Sequence, residues 1–205
     1  MLGHSFFSYL NPPNFRNMKN TIRLATLTLM ACTIGISQKT IAQSLTSDDI
    51  KAQLVKEWER AKNYTIDYLN TMPAGKYGFK PVDTIRSFAQ QMLHLAQANI
   101  FLMSMSTDTK PTGWAQSDLE HSPTAQSKDS VMYYVTSSYD YCINGVKNLD
   151  PSKWGEKKKI FNTFDETRFG MLLKTFEHQT HHRGQTTIYI RLQGIRPPQE
   201  RLFEK

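Results

Sequence analysis

Four long stretches of this chain repeat apolar residues at intervals of three and four, and their order matches an all-α bundle better than any sheet architecture. The first runs from about Ser47 to Thr71. Ser47-Asp48-Asp49 supplies a helix cap and early acids, and Ile50, Leu54, Val55, Trp58, Ala61, Thr65, Tyr68 and Leu69 form the apolar stripe. Met72-Pro73-Ala74-Gly75 ends it. The second begins near Asp83, after Pro81, and continues to about Met105. Thr107 to Lys128, with Pro111, Gly113 and Pro123, reads as a long loop. The third runs from about Lys128 to Leu149, with Val131, Tyr134, Val135, Ser138, Tyr141, Cys142 and Val146 on one stripe, and Asp150-Pro151 closes it. Residues 150 to 163, holding Trp154 and Gly155, read as an irregular connection. The fourth starts near Phe164, with Thr163 as cap and Glu166 completing a capping box, and reaches about Leu192 before Gly194 and Pro197-Pro198 stop it. Gly184 inside this helix costs about 1 kcal/mol against alanine, which predicts that it serves close helix packing.

The fourth stretch contains Glu177-His178-Gln179-Thr180-His181-His182-Arg183-Gly184-Gln185. At about 100° per residue, positions four apart differ by roughly 40°, so His178 and His182 share one face and can point at one cation. His181 is turned about 60° from His178 and about 100° from His182, which suits an outer or surface role. The best third ligand is His94, in the mostly uncharged second helix, because bundle metal sites are assembled from facing helices; taken alone it reads more readily as a satisfied core histidine than as a ligand. His4 precedes the targeting segment and His121 lies in a loop stretch, so neither is a strong ligand candidate. Glu177 is turned off the ligand face, so the arrangement of a glutamate base between paired histidines is absent. Arg183 is a candidate for orienting an anionic substrate group, or else a surface ion pair; Gln185 is a candidate substrate contact or an inter-helix hydrogen bond.

Tyr77-Gly78-Phe79-Lys80-Pro81 ahead of the His94 helix, His178-Gln179-Thr180-His181-His182-Arg183-Gly184-Gln185, and Tyr189-Ile190-Arg191-Leu192-Gln193-Gly194-Ile195-Arg196-Pro197-Pro198 together carry a resemblance. The chain resembles the DinB/YfiT-like metalloenzyme family from about Leu45 to Pro198. That resemblance implies an antiparallel four-helix bundle binding a divalent metal through three histidines, which map onto His94, His178 and His182. Some members of the family transfer low-molecular-weight thiols to electrophiles, and many have no assigned reaction. Three neutral imidazoles with an open fourth position suit Zn²⁺ or Ni²⁺, and imidazoles alone do not choose between them.

Residues 18 to 42 read as a secretory signal: Lys19 and Arg23 precede an apolar run from Leu24 to Ile36, and Thr40-Ile41-Ala42 supplies small residues before a cleavage at Gln43. Leu29-Met30-Ala31-Cys32 offers a second route, a lipoprotein box anchoring the chain at Cys32. Met18 is a candidate start, which would make residues 1 to 17 an upstream extension. The expected organisation is therefore an extension and signal over 1 to 42 and one helical domain over 43 to 205, with no membrane span after cleavage. The net charge of +7 falls to +3 once Arg16, Lys19, Arg23 and Lys39 leave with the signal, so nothing argues for a nucleic-acid partner. Lys157-Lys158-Lys159 reads as a solvated face. Cys142 alone remains after cleavage, reading as a buried thiol rather than a nucleophile, and no internal disulfide is available. The functional expectation is an exported, divalent-metal-binding hydrolase or transferase acting on a small molecule. The alternative is a non-catalytic, metal-pinned module of the cell envelope, and a homodimer is compatible with either.

Overall fold

In a computed structural model, residues 44–203 are described; the signal, the lipoprotein box and the extension lie outside them. The described chain is mostly helical with one small sheet. Its long helices are α1 (Ser47–Thr71), α2 (Phe88–Thr107), α3 (Lys128–Asn148) and α4 (Arg168–Leu192). A hairpin of β1 (Lys157–Ile160) and β2 (Phe164–Thr167) precedes α4. Among the described residues no helix is long and apolar enough to cross a membrane.

Each helix begins where a side chain can satisfy its first free N–H groups. The cap of α1 is Thr46, one residue before the expected Ser47: its hydroxyl accepts from Asp49 N–H at 3.1 Å while the Asp49 carboxylate accepts from Thr46 N–H at 3.0 Å. Helix α2 starts five residues later than expected, at Phe88 rather than Asp83. Ser87 and Gln90 form a capping box there, and the N–H groups of Phe88 and Ala89 donate to the carbonyls of Phe79 and Tyr77 at 3.0 and 2.8 Å. Those two bonds fold the intervening residues into turns. Ser127 caps α3 by accepting from Ser130 N–H at 3.2 Å.

The entry to α4 corrects two expectations. Residues 157–167 form an antiparallel hairpin, with Lys157 opposite Thr167 and Ile160 opposite Phe164, where an irregular connection and a helix start were expected. Phe161 and Asn162 both have positive φ (50° and 58°), and Thr163 N–H donates to the Ile160 carbonyl at 3.0 Å, so the chain reverses in a primed turn. The cap is therefore Thr167, which accepts from Gly170 N–H at 3.0 Å, and not Thr163. Glu166 sits ahead of the helix, where its carboxylate accepts from Thr167 N–H at 2.8 Å.

Helix α2 packs on both α3 and α4, while α1 packs chiefly on α3. Trp58, Leu69, Met72, Phe88, Met92, Leu93, Leu95, Met103, Tyr139, Cys142 and Leu172 are fully or almost fully buried between them. Trp58 meets Tyr139 and Phe176 edge-on at 5.8 and 5.3 Å between ring centroids, the arrangement aromatic quadrupoles favour. Close helix approach occurs at Gly145, where an added Cβ would stand 2.9 Å from Met103 Cγ. Gly184 does not serve that purpose, because a Cβ there would have nothing within 4 Å.

Candidate metal centre

Helix α4 sets His178 and His182 one turn apart on the side facing α2, and His94 meets them from α2. The ring centroids lie 4.3 Å apart for His178 and His182, 4.5 Å for His94 and His182, and 5.4 Å for His94 and His178. One nitrogen from each ring lies within 4.8 Å of the others. The Nε2 atoms of His178 and His182 are 3.2 Å apart. Two imidazole nitrogens bound to one tetrahedral Zn²⁺ at about 2.0–2.1 Å stand about 3.3 Å from each other, so this edge already has the span of a shared ligand edge.

Burial makes both α4 rings reluctant to take a proton, and the positive charge that His94, His181 and Arg86 can carry adds to the effect; His178 is lowered to about 4. For His182, burial again leads, followed by His178 and His94, and the value falls to about 3. Both rings are neutral at pH 7, the form that ligates a metal. The Nδ1 atoms of His178 and His182 are buried without a hydrogen-bond partner among the described residues. The donor set thus fits a divalent ion: three imidazoles, of which those of His178 and His182 are neutral and already at ligand spacing.

His94 is held differently. Its Nδ1 lies 2.7 Å from Glu120 Oε1, and the other Glu120 oxygen accepts from Arg86 Nε at 2.5 Å. Arg86 Nη2 lies 3.2 Å from His94 Nδ1. Burial would raise the Glu120 carboxyl, but hydrogen bonds from Arg86 and His94, with their charges, outweigh it and hold the group below its ordinary range. A cleft of about 800 Å³ opens beside this pair, lined by Lys80, Arg86, Gln90, Glu120, Gln185 and Tyr189 among others. Glu120 and Arg86 carry no periodic signal in the sequence. One lies in the loop between α2 and α3 and the other in the turns before α2, so only the folded chain brings them to His94.

Arg183 is 6% exposed, and its guanidinium donates to Gln179 Oε1 at 2.9 Å and Thr65 Oγ1 at 3.4 Å while lying 4.7 Å over the Tyr64 ring. Tyr139 OH also donates to Gln179 Oε1, at 2.7 Å, so this network ties α4 to α1 and α3. A surface ion pair is therefore not what Arg183 makes. His181 is exposed, outside the trio, and its Nε2 lies 2.7 Å from Gln185 Nε2. The Gln185 amide thus bonds within its own helix. Glu177 is exposed, and His121 pairs with Asp118 at 2.7 Å. Cys142 is buried, and burial pushes its thiol well above the ordinary range.

Four long helices, with three histidines gathered from two of them, define a mostly helical protein with a candidate metal site in the α2–α4 seam. The chain belongs to the DinB family, whose family model matches residues 42–203. A DinB-like protein from Bacillus cereus superposes with a TM-score of 0.61 at 16% identity, over 72% of this chain and 95% of that one. A DinB-like protein from Bacillus subtilis gives 0.56 at 17% identity, over 73% and 99%. A conserved protein from Enterococcus faecalis gives 0.57 at 17%, over 70% and 96%. At these identities the likeness speaks for the fold. No curated protein matches the chain in sequence.

Proposed function

We propose that the four helices form an antiparallel bundle that binds one divalent cation through His94, His178 and His182, and that the protein is an exported metal-dependent hydrolase or transferase of a small molecule. The observation that carries this reading is the convergence of three imidazole nitrogens within 4.8 Å, two of them 3.2 Å apart. A divalent ion so held supplies a Lewis acid and lowers the pKa of a bound water or thiol. The chain's own part is to keep the His178 and His182 imidazoles neutral by burial and to offer the cleft beside Arg86 and Glu120 for a substrate. Glu177 is exposed, while Glu120 lies beside His94 and lines the cleft, so the carboxylate nearest the trio comes from the loop between α2 and α3 and not from α4.

The buried bonds of Arg183 to Gln179 and Thr65 support a role in stiffening the ligand helix; orienting a substrate would require it to leave them. Zn²⁺ and Ni²⁺ are the proposed metals. Export rests on the ordered signal of Lys19, Arg23, the apolar run and Thr40-Ile41-Ala42. The mature chain would then be residues 43 to 205, or would start at an acylated Cys32. Metal analysis of the purified protein, followed by a screen of thiol acceptors and esters, tests the enzyme reading. One equivalent of metal with turnover lost on chelation is the expected result. Stoichiometric metal without turnover of either class would favour a metal-pinned module, and no metal uptake would remove both. N-terminal sequencing of the protein from its host tests export: a start at Gln43 or an acylated Cys32 supports it, and an intact Met1 or Met18 opposes it.

A further inference from the structure

We propose that Glu120 is a positioning residue for the metal centre: its carboxylate accepts a hydrogen bond from the Nδ1–H of His94 and so fixes the imidazole in the tautomer whose Nε2 is free to ligate. The inference rests on the metal-binding reading above, because a fixed Nε2 lone pair matters to a ligand.

The geometry places a proton on His94 Nδ1. An ionised carboxylate only accepts hydrogen bonds, so a contact of 2.7 Å between Glu120 Oε1 and His94 Nδ1 requires the hydrogen to be on Nδ1. Arg86 Nη2, 3.2 Å from the same nitrogen, is itself a donor and cannot bond to it in that state. The guanidinium instead holds the carboxylate, through Nε to Oε2 at 2.5 Å and more loosely through Nη2 to Oε1 at 3.5 Å. A neutral imidazole with its hydrogen on Nδ1 keeps its lone pair on Nε2.

Glu120 is held at both ends. Its carbonyl accepts from Gln90 Nε2 at 3.0 Å and from Gln126 Nε2 at 3.2 Å, so α2 and the end of the loop both fix its backbone. Leu119 beside it is 5% exposed and anchors the loop in the core. His178 and His182 have no counterpart, since their Nδ1 atoms lack partners among the described residues. Of the three rings, His94 is the one whose orientation a carboxylate determines. Ligand histidines bonded in this way to an outer carboxylate commonly lose about 10–100-fold in metal affinity when that partner is removed.

The test uses the full chain, labelled with ¹⁵N-histidine and freed of metal, with tautomers read from two-bond ¹H–¹⁵N couplings and Zn²⁺ affinity from competition with a chelating dye. In the wild type His94 should show the Nδ1–H pattern. Glu120→Ala should bring in the Nε2–H pattern and weaken Zn²⁺ about 10–100-fold. Glu120→Gln, whose amide oxygen still accepts, should retain Nδ1–H and bind Zn²⁺ more tightly than the alanine variant. A wild-type His94 in the Nε2–H form overturns the proposal, and that result does not depend on any variant folding. So does a folded Glu120→Ala protein with wild-type tautomer and wild-type affinity. If His94 is Nδ1–H but the wild type takes up no Zn²⁺, the metal reading fails while the hold of Glu120 on His94 stands.

Discussion

His178 and His182 occupy positions where burial opposes protonation, and this makes the metal-free protein sensitive to acid. Their values of about 4 and about 3 in the folded chain lie below the ordinary 6.5. Between those limits the unfolded chain binds protons that the folded chain refuses, so stability rises with pH across the window. It is complete above about pH 6.5 and lost as pH falls through 4 towards 3. Urea midpoints of the chelator-treated protein should therefore fall between pH 7 and pH 5, and a His178→Gln, His182→Gln double variant should show a flatter profile. A profile equally steep in both would remove the two rings as its cause. For the metal, His182→Ala should abolish stoichiometric Zn²⁺ binding while His181→Ala weakens it far less, because His181 is exposed and outside the trio. Calorimetry showing equal losses would contradict this. The spacing of His178 and His182 was legible because helix geometry turns a sequence interval into a direction. Glu120 and Arg86 were not, since their meeting with His94 is made by turns and a loop whose path no periodicity encodes.

Helices were legible by their stripes, and their ends less so, because caps compete locally. Thr163 followed by Glu166 has the lettering of a capping box, yet the chain at Phe161-Asn162 turns back on itself and places the cap at Thr167. Asn162 is followed by threonine rather than glycine, so the usual hairpin signal was missing. Gly184 shows a different kind of error: a helical glycine suggested close packing, and the close approach is instead at Gly145. The two positions make opposite predictions. Gly184→Ala adds a methyl to open space on an exposed helix face and should stabilise the protein by about 0.5–1 kcal/mol, read as a higher urea midpoint. Gly145→Ala should gain none of this, because Met103 must move to admit the Cβ.

The trio joins α2 to α4, so a bound cation would link two of the helices that build the core, and ligation should be felt by the whole domain. A ligand that binds the folded chain alone stabilises it by about 2.7 kcal/mol at a hundredfold excess over its dissociation constant. For a chain of this length each kcal/mol moves the melting temperature by about 2–4 °C, so Zn²⁺ should raise it by about 5–11 °C at pH 7. The increase should shrink as pH falls towards 4 and 3, where His178 and then His182 of the folded site take protons that compete with the metal. It should vanish in His182→Ala and persist in His181→Ala. Differential scanning calorimetry with and without Zn²⁺ checks all of this. An increase of the same size in His182→Ala would show that the ion binds elsewhere, and no increase in the wild type would mean that the three imidazoles, though gathered, do not hold zinc.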